Sequence, residues 1–425
     1  MHKNERGHIM NILEKAAAGH FNKTGETKKL AVPGATNNIY EVFAIPLEFL
    51  YYNDQNGRIN TAYKKYKAEN EELKPEIGDS IYNKIFEQFI YESNPSALNK
   101  TLHSIKEKGQ QVSGVVLPDG RVIDGNRRFT ALRRQQREDE IPKNFNAVIL
   151  SLDAKSKAAE KTIKTLELDL QLGREEKVSY NPIDRIFDVY NTIEVEKLMT
   201  AAEYRKASGA GNTIGINKDI RLAELILRFI KIISPGGNPI DKFYLARDLK
   251  LDGPMQEIER TLNNLHDSEK EAIIDATLVY MAISKTDSVK LEPTKAIREL
   301  KNNVLNNPEV IQYFLDAVDD KVDDIIDAFE ENPIQSSNDL NLFINEDEKL
   351  HTAVEKLAKS TNRLIYKGSI DTKRTRVLVE LEYVCEKLED INPEDFNELT
   401  AEEYLDAKEV LKKLQDTFYK LKKEM

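Results

Sequence analysis

Arg121, Arg127, Arg128, Arg133, Arg134 and Arg137 crowd one short stretch whose only opposing charge is Asp124. Val122 and Ile123 are apolar β-formers, Asp124-Gly125-Asn126 reads as a turn, and a helical pattern follows it. A turn that feeds a helix N-terminus presents unsatisfied backbone N–H groups and the positive end of the helix dipole. Guanidinium forks beside such a turn hold phosphate bidentately. The chemistry implied is binding of nucleotide or nucleic-acid phosphate; the alternative is a solvated basic helix face. Arg58 leaves a second strong turn, Asn53-Asp54-Gln55-Asn56-Gly57, and either points into the same site or lies on a surface loop.

The elements that must position these residues are legible around them. Tyr40–Tyr52 is apolar and suggests a strand followed by a short turn. Thr61–Tyr91 is helical and polar, with Ile77, Ile81, Ile85 and Phe86 as its core positions. Pro95 opens a helix, Ser96–Lys108, that Gly109 ends. Val112–Leu117 and Arg121–Ile123 flank Pro118-Asp119-Gly120, the pattern of a β-hairpin, and Phe145–Leu152 is a further strand. A compact α/β domain over residues 38–155 follows, with a helical insertion at 61–91 and a polar N-terminal segment, 1–37, expected to be partly flexible around a short helix at Ile12–Ala17.

The chain has 425 residues and net charge -11, which implies more than one domain and excludes wholesale coating of nucleic acid while permitting one local basic site. The 40% apolar and 32% charged content is that of a globular protein. A single cysteine, Cys385, excludes an intrachain disulfide and an all-cysteine metal site. No apolar run is long enough for a membrane span and the start lacks a signal peptide's apolar core, so a cytoplasmic protein is expected.

Beyond residue 155 the pattern is helical. Ala154–Leu172 is one helix and Ile183–Lys197 another, broken by Tyr180-Asn181-Pro182. Ala201–Ala207, a glycine-rich joint at Ser208–Ile216 and an apolar helix from Asn217 or Lys218 make a candidate helix-turn-helix within a 156–235 segment, with Lys218 and Arg221 as the DNA contacts. Simple helix packing gives the same pattern. A helical domain over 236–331 carries the acidic run Asp316–Glu331, read as the solvated face of an amphipathic helix in two pieces, Pro308–Phe314 and Val318–Phe329. Residues 332–425 form a C-terminal helical region after a Glu331–Leu342 linker. Its last helix, Ala401–Lys423, pairs with the preceding helix across Asn392-Pro393, the slightly favoured reading, or supports a homodimer.

Gly125-Asn126-Arg127-Arg128-Phe129-Thr130-Ala131 after a strand resembles the Gly-x-Arg-Arg box of the ParB N-terminal domain family, whose fold sulfiredoxin shares. The opening Ile45-Pro46-Leu47, the turn that ends in Arg58, and the helix, glycine and apolar strand order at Gly109 resemble the same family. So do Leu168-Asp169-Leu170-Gln171 and Asn181-Pro182-Ile183-Asp184, which align with its acidic box and the segment after it. The likeness covers residues 40–195 and extends less surely to 235. Leu168 and Asp169 stand where the family has Glu and Asn, and Leu172 where it has arginine, so Glu167 is a second choice for the acidic role. The resemblance implies an α+β protein with a ParB/sulfiredoxin-like N-terminal domain, followed by a mostly helical region with the candidate helix-turn-helix. It also implies that Gly125, Asn126, Arg127 and Arg128, with Arg58, cradle the phosphates of CTP or ATP, and that Glu167 or Asp169 carries Mg²⁺ as metal ligand and catalytic carboxylate. No cysteine precedes the box, which argues against sulfiredoxin chemistry.

The leading expectation is a nucleotide-responsive, ParB-like protein associated with duplex DNA, in plasmid or chromosome partition or a mobile element, with slow nucleotide hydrolysis as a switch. The second is a nuclease or phosphotransferase on the same scaffold, which needs a carboxylate placed close to Arg128. The third is a non-catalytic helical interaction protein.

Overall fold

A computed structural model describes residues 11–152, 157–172, 181–265, 270–389, 391, 393, 396 and 399–424. The chain divides into two units, Met1–Gly368 and Ser369–Met425. The first unit is α+β, an N-terminal mixed sheet followed by a largely helical region.

The N-terminal part runs α1 (Ile12–Ala17), β1 (Asn22–Lys29), β2 (Ile39–Pro46), β3 (Tyr51–Tyr52), α2 (Asn60–Glu69), α3 (Ile81–Ser93), α4 (Pro95–Lys108), β4 (Gly114–Val116), β5 (Arg121–Asp124), α5 (Asn126–Asp139) and β6 (Asn144–Ile149). The sheet order is β1-β2-β6-β4-β5-β3. Strands β4 and β5 form the expected antiparallel hairpin, β6 runs parallel to β4, and the short β3 runs parallel to β5. Alternation along the strands divides the core between the two faces. Val116, Val122, Phe145 and Ala147 pack with α3, α4 and α5 on one side, while Val115, Ile123 and Val148 pack under α6 (Lys157–Leu172) through Ile163, Leu166 and Leu170.

Two differences from the sequence reading lie here. The polar N-terminal stretch holds the expected α1 but also β1, which pairs antiparallel with β2 as an edge strand. Edge strands tolerate polar, lysine-rich sequence because one side faces solvent, so apolar periodicity gives no signal for them. The 61–91 stretch is two helices rather than one. Ile77 and Ile81, expected in the core, are exposed, and α3 buries Tyr82, Asn83, Phe86, Glu87 and Ile90 instead. Ser80 caps α3 by accepting from the Asn83 N–H, which rotates the buried stripe away from Ile81.

The helical part continues with α7 (Pro182–Tyr190), α8 (Ala201–Ser208), α9 (Ile214–Ile233), α10 (Tyr244–Asp248), α11 (Asp252–Asn263), α12 (Lys270–Ile283), α13 (Pro293–Leu300), α14 (Pro308–Glu331) and α15 (Ser337–Glu346). Its centre is α12, apolar on nearly every side and so buried all round, with α9 and α14 against it. The two pieces expected at 308–329 are one helix, since Leu315, Asp316 and Ala317 contain no breaker. Val310, Phe314, Val318, Val322, Ile325 and Phe329 make its buried stripe and the acidic run lies opposite. The expected linker at 331–342 contains the start of α15, where Ser336 and Asp339 close a capping box. Helix α16 (Glu348–Glu389) is continuous where the sequence pattern suggests two pieces, Glu346–Leu357 and Thr375–Glu389, and α17 (Ala401–Glu424) follows. Among the described residues, no helix is long and apolar enough to cross a membrane.

Candidate phosphate site

At the end of β5 the chain turns through Gly125, whose φ of 95° and ψ of 22° lie in the left-handed region that glycine adopts without strain. A Cβ here would sit 2.9 Å from Phe145 Cζ and 3.0 Å from Arg128 Nη2, so the absent side chain is what lets the Arg128 guanidinium fold back over the turn. The Phe129 N–H donates to Gly125 O at 2.8 Å and closes the first turn of α5. Gly125 supplies no side-chain cap, which leaves the first N–H groups of the helix without an intrahelical acceptor. Thr130 fixes the helix laterally: its hydroxyl bonds the Tyr52 hydroxyl at 2.7 Å and donates to Asn126 O at 2.9 Å, while the Phe129 ring packs between Tyr52 and Phe145.

The six arginines divide into two groups. Arg133, Arg134 and Arg137 all donate to one carboxylate, the buried Glu87 on α3, at 3.1 Å, 3.3 Å and, for Arg137 Nη1, 3.0 Å. Arg121 is held by Asp119 and the Tyr51 hydroxyl, whose own proton burial makes harder to remove. These four are fixed by protein partners. At the helix start the balance is different. Asp124 Oδ2 accepts from Arg128 Nη2 at 3.2 Å and from Lys28 Nζ at 3.3 Å, and Lys28 also donates to the Ser113 carbonyl. Arg128 Nε and Asn126 Oδ1 are buried with no hydrogen-bond partner, and Asn126 as a whole is 8% exposed. Arg127 makes no hydrogen bond or ion pair within the described residues. Burial and then the positive charges of Arg58 and Arg128 push its pKa down to about 10, so it remains a cation at neutral pH. Arg58, half-buried, joins this cluster from the Asn53–Gly57 turn, where the Asn56 side chain accepts its backbone N–H at 3.1 Å.

An arrangement of like charges beside open helix amides, with Asp124 as the carboxylate bonded to both Arg128 and Lys28, attracts an anion. Arg58, Gly125, Asn126, Arg127 and Arg128 are thus brought together as the sequence suggests. Lys28 went unnoticed because β1 has no apolar signal, and Glu87 because it sits within a segment read as an insertion. A carboxylate between Phe86 and Ile90 on an apolar stripe is the signal that points to a buried partner.

The expected metal carboxylates are placed differently. Glu167 is buried on α6 at 3.8 Å from Lys164 Nζ, and Lys164 donates to Asp188 Oδ1 at 2.5 Å. Asp188 also accepts from the Tyr204 hydroxyl at 3.1 Å, and its charge with Glu167 holds the buried Lys164 protonated against the pull of burial. Asp169 is exposed, two residues on along the same helix and so on another side of it from Glu167. Among the described residues no group of three His, Cys, Asp or Glu side chains is placed to hold a metal. Glu175 and Glu176, further carboxylates that the nuclease or phosphotransferase reading could use, lie outside the described residues.

The expected DNA contacts sit on α9, a helix of the core that buries Ile216, Leu222, Ile226, Phe229 and Ile230. Arg221 donates from Nε to the buried Glu259 of α11, so its charge is spent on helix packing; Lys218 is half-exposed one turn earlier. Helix α8 ends at Gly209 in the left-handed conformation, and α9 begins at Ile214. Asn181 caps α7, and Asp184, buried, accepts from Thr61 and from Arg247 Nη1, the latter at 3.1 Å.

Compared with protein-family models, with curated proteins and with solved structures, the chain matches none.

Proposed function

We propose that Arg127 and Arg128, with Arg58 and the open amides at the start of α5, bind the phosphate groups of a nucleoside triphosphate, CTP or ATP. The observation that carries this reading is Arg127, a cation set among like charges at a helix N-terminus without an anionic partner among the described residues. Like charges gathered in a partly desolvated turn destabilise the empty protein, and a bound anion removes that cost. Mg²⁺, a hard cation that takes oxygen ligands, would come on the phosphate oxygens, with Asp124 a carboxylate bonded to Arg128. Glu167 and Asp169 face different sides of α6 and do not converge on one ion. Binding would serve as a switch for association with duplex DNA, in the manner of the family the arginine box resembles.

Calorimetric titration of the whole chain with CTP and with ATP in Mg²⁺, with thermal shift as a second probe and with duplex DNA present or absent, tests this. Arg127→Ala and Arg128→Ala should each weaken binding by at least about tenfold, since each removes a charge-assisted bond to phosphate. Arg134→Ala, which loses contacts to Glu87 and to the Tyr91 ring, should bind as the parent does. Silence of both probes with both nucleotides, or binding that survives both Arg127→Ala and Arg128→Ala, would overturn the proposal.

A further inference from the structure

Helix α17 is 24 residues long and exposed along its described length, only Ala407 being half-buried. A helix of that length and exposure is marginal in water by itself. Its apolar residues are nevertheless large and regularly spaced. Tyr404, Leu411 and Phe418 fall at one heptad position and Ala407, Leu414 and Leu421 at the other, which is the seam of a coiled coil. Leu411, Leu414, Phe418 and Leu421 are 44%, 39%, 62% and 54% exposed, so the seam is largely open to solvent.

The flanking charges choose the occupant. Glu403, Val410 and Thr417 precede each seam pair, and Lys408, Gln415 and Lys422 follow the first seam position by four. In a parallel pair of identical helices, the first set faces the second set of the next heptad on the other chain. Glu403 then meets Lys408 of the partner subunit, twice per dimer by symmetry, while Val410 and Thr417 meet uncharged or unopposed neighbours. In an antiparallel pair each set faces itself, so Glu403 never meets a lysine and Lys408 meets Gln415 or Lys422. The capping box, in which the Thr400 N–H and hydroxyl donate to Glu403 Oε2 at 2.9 and 2.8 Å, anchors that carboxylate at the helix start. We propose that α17 pairs with α17 of a second copy of this chain as a parallel two-stranded coiled coil in the register that sets Glu403 against the partner's Lys408.

The test is the mass of the full-length chain by sedimentation equilibrium across a concentration series. The parent should be a dimer and Leu411→Asp/Leu414→Asp a folded monomer that loses no more helix content than that of α17. Lys408→Glu should raise the dimer Kd by about tenfold through two Glu–Glu contacts, and Glu403→Gln, which keeps the capping box, should return Lys408→Glu to within about threefold of the parent. In a Cys385→Ser background, Leu421→Cys should cross-link the dimer on mild oxidation, because seam positions adjoin their own copies only in a parallel pair. A parent of single-chain mass at every concentration would overturn the proposal. A dimer that Lys408→Glu strengthens, or that Leu421→Cys does not cross-link, would overturn the parallel register.

Discussion

The Arg133 guanidinium donates from Nε to Glu87 Oε2 at 3.1 Å across the α3–α5 packing, with both side chains buried. Arg134 and Arg137 share the same carboxylate. Half of the arginine-rich stretch is thereby structural, and Arg127 and Arg128, which make no bond to Glu87, lie in the first turn of α5.

Glu87→Ala would take from the buried Arg133 the carboxylate at its Nε, leaving Asp79 at 3.4 Å and the Gly78 carbonyl at 2.8 Å as partners. Breaking a buried pair from one side destabilises by about 3–5 kcal/mol, whereas Arg134→Ala, at the partly exposed edge of the cluster, should lose less than about 1 kcal/mol. Urea denaturation of the two variants side by side measures the difference. Equal small losses would mean that Asp79 and the Gly78 carbonyl satisfy Arg133 without Glu87.

Arg127→Ala should behave in the opposite sense. It removes a half-buried cation from beside Arg58 and Arg128, so the stability of the free protein should stay level or rise by up to about 1 kcal/mol while nucleotide binding falls. Saturating nucleotide, at about a hundred times Kd, should stabilise the parent by about 2.7 kcal/mol and the variant hardly at all. Melting curves with and without CTP or ATP measure both effects. A variant less stable than the parent would assign Arg127 a structural role.

Gly125→Ala forces a side chain into the left-handed turn and within 3.0 Å of Phe145 and Arg128. A loss of about 1–3 kcal/mol is expected, together with weaker nucleotide binding, because the Arg128 guanidinium must move. Denaturation and calorimetry on one preparation report both, and an alanine variant with parental values in each would show that the turn relaxes freely.

Asp184 gives a pH signature. Burial raises its pKa to about 6 in spite of Arg247 and Thr61, which pull it down. The folded state therefore holds this proton more tightly than the unfolded chain, so the contribution of Asp184 is largest below the ordinary carboxylate range. It declines as pH rises to about 6 and is level above that, a fall of at most about 3 kcal/mol. Asp184→Asn should abolish this portion of the pH dependence in urea midpoints taken from about pH 4 to about pH 7. A variant whose profile parallels the parent's would place the titration elsewhere.

The helices and the hairpin were largely legible in sequence because each carries its own signal. Gly109 ends α4, Pro182 and Asn181 start α7, and Asp119-Gly120 turns β4 into β5. Ile77 and Ile81 misled because apolar character alone does not say which side of a helix a cap will bury, and the Arg221–Glu259 pair was not legible because a basic residue at a helix start reads alike whether it faces solvent or a carboxylate. The merged helix α14 was cut too short where Asp316 stood on the solvent side of an unbroken pattern.

The sequence by itself determined the turn at Asp124–Asn126, the helix after it and the gathering of arginines there, since these depend on neighbours along the chain. The tertiary structure alone decided which of those arginines are spent. Glu87 reaches Arg133 from 46 positions away, Lys28 reaches Asp124 from 96, and Arg58 joins Arg127 from another turn. Ion pairing acts through space over a few ångströms, so the charge of a site is set by the packing of distant elements and not by the composition of the segment that carries it.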